Sequence, residues 1–381
     1  MQLPSLLLGV VFHVVNGFLP LTSPTHLSSI PNQSFHPLYH FSDQASTGNG
    51  YVPAQIRQAY GLDKIQSQGA GKSIAIVDAY HDANLPIDLQ RFSATFSLPE
   101  LNGLPGKPSC TISAGPHPCV EIIKQGTKSD AGWATEAALD TEWAHAIAGQ
   151  ADLLVVEAKD ATAKSMAAAL TTAVSKHPTV MSLSWGGNEF SKEADWDPTF
   201  SQSMTVAASG DQGTGASFPS VSPNVLSVGG TSLHLSSTGT KIGTETAWSG
   251  SGGGASTYEN RPIWQAKNLL GVPFTLRLTP DVSYNADPRT GYAVMSANRW
   301  QTVGGTSAGA PQWAAMLTLA SRAPTNASIY KAGTGASRKS LFTDIVHGNN
   351  GTCKTFCQTR PGYDAVTGLG SPIANKLIPA I

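Results

Sequence analysis

The amino-acid sequence predicts an α/β domain with a predominantly parallel central sheet flanked by helices, and three observations point to it. Short apolar runs rich in β-branched residues occupy 73–77, 152–157, 180–184 and 225–228. They are nearly continuous rather than alternating, as strands buried on both faces must be. Helical patterns at 135–148 and 165–176 lie between the runs, and strands interleaved with helices make parallel crossovers. The length of 381 residues suits one wide sheet with its helical layers.

Taken in chain order, residues 6–15 form a short apolar run suggestive of a secretory signal, although His13 and Asn16 interrupt it and no Lys or Arg precedes it. The run is too short to span a bilayer. Gly69-Ala70-Gly71-Lys72-Ser73 has the look of a phosphate loop, but Gln66 takes the first glycine position and a strand follows where a helix is required. Nucleotide binding is therefore not expected. Cys110 and Cys119 flank a Pro/Gly-rich loop, and Cys353 and Cys357 lie close together near the end. Two local disulfides are the simplest of the three connectivities, and they agree with an exported protein. Zinc is not expected, because no second soft-ligand cluster accompanies the Cys353/Cys357 pair.

Three stretches carry candidate chemistry. The alanine-rich segment 133–145 has strong helix propensity, and it sets Glu136 and Asp140 four residues apart on one face. On a solvated face the pair only repels; in a cleft it can share a proton, one carboxyl shifting the pKa of the other. Taken alone, the spacing describes an exposed acidic face better than a site. The run 204–213 reads as a buried strand ending in a tight turn, which puts Asp211 at a strand's carboxyl end, where open α/β sheets hold their sites. A plain Asx turn is the other reading. Finally, Gly304-Gly305-Thr306-Ser307-Ala308-Gly309-Ala310-Pro311 precedes a buried helical pattern at 312–319. Pro311 suits a first helical turn. Ser307 then stands at or near the helix start among glycines that admit a substrate backbone, or serves as an ordinary N-cap.

Glu136, Asp140, Asp211 and Ser307, in this order, resemble the sedolisin family of serine-carboxyl peptidases, and the likeness extends over about 50–381. It is carried also by Tyr51-Val52-Pro53-Ala54, Ser73-Ile74-Ala75-Ile76-Val77-Asp78, Ser182-Leu183-Ser184-Trp185-Gly186, Pro280-Asp281-Val282-Ser283 and Gly362-Tyr363-Asp364. The resemblance implies a subtilisin-like fold and a secreted, acid-active endopeptidase acting on proteins or peptides. Ser307 is then the nucleophile, Glu136 the general base and acid, Asp140 the residue that tunes Glu136, and Asp211 a protonated oxyanion donor. It further implies one structural calcium ion, held by the carboxylates of Asp344 and Asp364 and the carbonyls of Ile345, Arg360 and Gly362. Gly250 to Gly254 corresponds to part of the substrate cleft, and we expect an edge that pairs with extended peptide.

Departures from the family pattern set the alternatives. Residues 1–50 are read as a possible signal peptide and a short N-terminal segment, too short for the large prodomain of most relatives, with the peptidase domain at 51–381. An inactive peptidase-fold binding protein is one alternative. A subtilisin-type triad of Asp78, His145 and Ser307 is the other, although His145 lacks the glycine context of such a base. With 24 basic against 25 acidic residues, no field attracts polyanions. No nucleic-acid or membrane partner is expected, and the chain is expected to be a monomer.

Overall fold

The computed structural model describes residues 33–42, 50–269 and 274–381; the apolar run at 6–15 lies outside them. The expected sheet is present. Strands Ser73–Ala79, Asp152–Ala158 and Val120–Lys124 lie side by side in parallel, and Val180–Leu183, Met204–Ala208 and Val225–Ser232 continue the sheet in parallel on the other side. Val282–Asn285 adds a further parallel pairing to Val225–Ser232, and Thr246–Ala247 an antiparallel one.

Residue period two divides each strand between two cores. Ile74, Ile76, Leu153 and Val155 face one layer, where the helices Ala131–Ile147 and Thr306–Thr318 pack against each other. Ala75, Val77, Leu154 and Val156 face the other, covered by the helix Ala163–Ser175 through Met166 and Leu170. Both faces are thus buried, which is why the strands read as apolar runs. Among the described residues no helix is long and apolar enough to cross a membrane.

The helix Ala131–Ile147 starts where Asp130 accepts hydrogen bonds from the amides of Gly132 and Trp133, at 2.9 and 3.1 Å. Every residue from Thr135 to Ile147 is buried. A helix buried all round takes its polar side chains into the core with it. Glu142 there accepts the Met295 amide at 3.0 Å.

Two elements differ from expectation. The strand expected at 225–228 runs to Ser232, through two glycines that propensity disfavours. Close packing explains them: a Cβ would come within 2.6 Å of Pro280 at Gly229 and 2.7 Å of Trp248 at Gly230. The helix expected from Pro311 onward begins at Thr306. Pro311 therefore sits inside it and withholds the amide that the Ser307 carbonyl would accept. The Ser184 hydroxyl donates to that carbonyl instead, at 3.4 Å.

Below the sheet edge, Asp281 receives both arms of the fully buried Arg277 guanidinium, at 2.7 and 2.5 Å, together with the Ser227 amide and the Tyr330 hydroxyl. A buried pair with all its oxygens occupied fixes the turn that follows Thr279.

Candidate active site

Strand ends and two buried helices build one polar cluster inside this frame. Asp78 stands near the carboxyl end of Ser73–Ala79, and Asp211 follows Met204–Ala208 through Gly210, whose φ of +117° is left-handed. The central helix contributes Glu136 and Asp140, one turn apart, and the second buried helix contributes Ser307. Glu136, Asp140, Asp78 and Ser307 are all 0% exposed.

Burial decides the protonation of these groups. It raises Glu136 well above the usual carboxylate range, and the charges of Asp140 and Asp78 add to the rise while the Ser307 hydroxyl moderates it. Asp140 is likewise raised well above its ordinary value by burial and then by Asp78, with Ser184 and Glu136 opposing. Burial, then Glu157 across the strand pair, pushes Asp78 to about 8. Among the described residues none of these three carboxyls has an ion-pair partner. The cluster therefore holds protons in common, and its titration belongs to the group rather than to one member. The Ser307 hydroxyl donates to the Ser184 carbonyl at 3.0 Å. Neither carboxyl oxygen of Glu136 makes a hydrogen bond of ordinary geometry, so the proximity that moderates its pKa is not yet an aligned contact.

Opposite this cluster, Asp211 Oδ1 accepts from the Thr306 amide at 2.8 Å and the Thr306 hydroxyl at 2.7 Å. Its Oδ2 is buried without a hydrogen bond, 3.5 Å from His40 Nε2. Burial raises Asp211 to about 7 against these Thr306 bonds. A carboxyl that is neutral below that pH, anchored through one oxygen, can offer the other as a donor. Gly305, at φ +117°, makes room: a Cβ there would lie 2.4 Å from the Leu38 carbonyl oxygen and 2.5 Å from Asp211 Oδ2. The Leu38 carbonyl accepts the Ser307 amide at 3.1 Å. A backbone carbonyl, an amide donor and a neutral carboxyl thus face the same small space.

Comparisons with known proteins give the family. The model of the subtilase family matches residues 126–340. Kumamolisin of Bacillus sp. (strain MN-32) is 31% identical over 391 residues, covering 89% of this chain and 65% of its own length. Sedolisin of Pseudomonas sp. (strain 101) is 36% identical over 177 residues, 42% of this chain and 29% of its own. A solved structure of Pseudomonas sedolisin, a serine-carboxyl proteinase complexed with two molecules of pseudo-iodotyrostatin, superposes with a TM-score of 0.74 at 26% identity, covering 87% of this chain and 98% of that one. The chain belongs to the sedolisin family. It spans less than two thirds of the length of these two sequence relatives.

Other expected features divide in this sedolisin-family chain. The triad Asp78/His145/Ser307 is not assembled: His145 Nε2 lies 2.8 Å from the Pro99 carbonyl, and burial lowers its pKa to about 4. The run from Gly250 to Gly254 is not a free edge. Its amides at Gly252 and Gly253 donate to Gly210 and Gly215 and it receives the Gly213 amide at Gly250, so it braces the Asp211 turn. Both local disulfides, Cys110–Cys119 and Cys353–Cys357, are formed. Sequence reading singled out Ser184 only as part of a motif and Thr306 as a neighbour, and it read residues 33–42 only as part of a short N-terminal segment.

The expected calcium residues lie together in the C-terminal loops. Asp344 accepts the Gly362 amide at 3.1 Å, and Asp364, raised to about 6 by burial, accepts the amides of Arg360, Val366 and Thr367. Both carboxylates thus bond to the 360–362 turn, and carboxylates with carbonyls are the hard oxygens that calcium takes. The guanidinium of Arg338 already bonds both Asp344 oxygens, at 3.0 and 2.6 Å, and the Gly362 carbonyl at 3.1 Å. The donor set fits a hard cation, and Arg338 competes for two of its members. No group of three or more His, Cys, Asp or Glu side chains among the described residues makes a metal cluster, so the set depends on backbone carbonyls.

The buried carboxyls make stability depend on pH. Asp211 and Asp78 are raised in the folded protein, so they contribute fully below their unfolded pKa of about 4 and lose that contribution as pH rises through about 7 and 8. Asp287 and Glu245, which burial alone would raise, are held low by Arg289 and Lys241, and their contribution is lost only below this window. Stability is therefore expected to fall as pH is raised from about 4.5 to 7.5, by about 1.4 kcal/mol per pH unit for each retained proton, and the thermal midpoint to fall with it. A flat or rising midpoint would contradict proton retention in the cluster.

Proposed function

We propose that this chain is a secreted, acid-active serine-carboxyl endopeptidase. The observation that carries the reading is the convergence of Ser307, the Glu136/Asp140 pair and the unbonded Asp211 Oδ2 on one peptide carbonyl. In this mechanism Ser307 Oγ attacks the substrate carbonyl while Glu136, ionised in the reactive microstate, takes its proton. Asp140, protonated, holds that microstate by donating to Glu136. The oxyanion collects hydrogen bonds from the Ser307 amide and the Asp211 carboxyl. Glu136 then returns the proton to the leaving amine, and water repeats the sequence to release the acid.

Acid activity follows from the same groups. Asp211 is a donor only below about 7, and the first proton lost by a coupled carboxyl cluster leaves at lower pH than the later ones. Endopeptidase action is supported by chain accommodated on both sides of Ser307, from residue 33 to residue 42. The two disulfides support export. We assign residues 51–381 to the peptidase domain. Its balanced charge leaves protein or peptide substrates as the partners, and the protein works as a monomer.

Ser307→Ala is expected to abolish hydrolysis of a denatured protein substrate at acid pH with the fold retained, because the change removes one atom. Turnover by the folded variant above the background of an uninoculated control would remove Ser307 as nucleophile.

We also propose that Asp344, Asp364 and the carbonyls of Ile345, Arg360 and Gly362 hold one calcium ion, with Arg338 displaced from Asp344. Calcium at a hundredfold excess over its Kd is then expected to add roughly 2–3 kcal/mol of stability. A chelator should lower the thermal midpoint correspondingly, and Asp364→Ala should remove the chelator's effect. An unchanged melting curve would leave Arg338 as the permanent cation of this cluster.

A further inference from the structure

Asp78 and Glu157 are register partners on the adjacent parallel strands Ser73–Ala79 and Asp152–Ala158. Period two carries them to the same side of the sheet as Ile74, Ile76, Leu153 and Val155, the side on which the helix Ala131–Ile147 packs. They are 0% and 1% exposed. Two carboxyls that face each other out of water do not both ionise.

Their surroundings decide which of the two carries the charge. Glu157 Oε2 lies 2.6 Å from His81 Nδ1, and its Oε1 accepts the Asp82 amide at 3.0 Å. An ionised carboxyl only accepts, so Nδ1 is the donor, and the imidazole is a cation whenever its other nitrogen is protonated too. The His81 side chain is 24% exposed and meets solvent. Asp78 has no such help: both of its oxygens are buried without a hydrogen bond. The other charged groups nearby leave this division in place. Asp82, with Asp88 beyond it, is a further acid on the Glu157 side. Lys124, the register partner of Glu157 on the edge strand Val120–Lys124, is exposed and makes no ion pair with it. Lys128 meets His81 through its backbone carbonyl, 2.8 Å from the His81 amide. From the helix, Glu136 and Asp140 are both raised by any charge on Asp78. Two donors thus stabilise a negative charge on Glu157, and none stabilises one on Asp78.

We propose that Glu157, seated by His81, is a positioning residue of the peptidase: its negative charge keeps the proton on Asp78, and an uncharged Asp78 leaves Glu136 as the member of the buried cluster that ionises and takes the Ser307 proton. The inference rests on the peptidase reading above. With one negative charge to place, the cluster has three microstates, on Glu136, Asp140 or Asp78. Only the first is reactive. The charge of Glu157 penalises the third most, because Asp78 is its register partner, and a larger share of the enzyme then carries the charge on Glu136. A neutral residue at 157 lets the charge settle on Asp78, and an anionic Asp78 holds the proton on Glu136.

The test is kcat/KM against pH on one peptide for the wild type, Glu157→Gln, His81→Ala and the double variant, each with its melting curve. Glutamine keeps the shape of Glu157 and its acceptor for the Asp82 amide. The Glu157→Gln curve is expected to follow wild type on the rising acid side, where the cluster is mostly uncharged and activity counts only the small fraction with Glu136 ionised. It should then level off at lower pH, at a plateau about three- to tenfold lower. His81→Ala should give the same earlier, lower plateau in weaker form, and adding it to Glu157→Gln should change nothing further. A folded Glu157→Gln enzyme whose activity falls by one factor at every pH has lost packing only. That result, or an unchanged curve, overturns the proposal and leaves the peptidase reading standing. Should Glu157→Gln fail to fold, His81→Ala decides in its place: an unchanged plateau or a uniform loss overturns the proposal. If the wild type cuts neither peptide nor denatured protein at any pH, both fall.

Discussion

A carboxyl group removed from water and given no cation keeps its proton, and this protein places Asp78, Glu136 and Asp140 together in that condition, with Asp211 on the far side of Ser307. Most of the surrounding architecture can be read as the means of keeping water out. The helix Ala131–Ile147 is buried on every side, and its alanines let the sheet and the helix Thr306–Thr318 approach closely. The resulting shared protons are what a carboxyl-based acylation needs: one acid to donate to the oxyanion, and one carboxylate held ionised by protonated neighbours. They also bias the fold toward acid, since each retained proton is released only when the protein unfolds or the pH rises.

The backbone around Ser307 shows the same economy of space. Gly305 and Gly210 adopt left-handed φ values, and at Gly305 any side chain would collide with Asp211 and the Leu38 carbonyl. Pro311 frees the Ser307 carbonyl, which brings in the Ser184 hydroxyl. Since Ser184 also offers its carbonyl to the serine Oγ and to the Leu38 amide, it ties the nucleophile to the segment 33–42.

Local signals made much of this legible. Strands buried on both faces announce themselves as apolar runs, so Ser73–Ala79 and Asp152–Ala158 were readable, and the i,i+4 spacing of Glu136 and Asp140 predicted a shared face. Burial of that face was not readable from spacing, because it depends on the second helix more than 160 residues away. The same holds for Gly250 to Gly254, which as sequence resembles a free edge and in space braces the Asp211 turn. Arg338 carried no signal at all: its bonds to Asp344 and Gly362 depend on how the C-terminal loops close. The segment 33–42 is short, and only pairing with strands about 150 to 260 residues distant gives it a structure.

The central claim is that carboxyls, not a histidine, carry the proton traffic. It is tested most directly by kcat/KM against pH on one peptide for the wild-type enzyme, Asp211→Asn and His145→Ala. The account predicts a bell in the acid range whose basic limb reports loss of the Asp211 proton. That limb should shift or flatten in Asp211→Asn, which donates at any pH, and the curve should keep its shape in His145→Ala. Loss of activity in His145→Ala together with a wild-type profile in Asp211→Asn would contradict it.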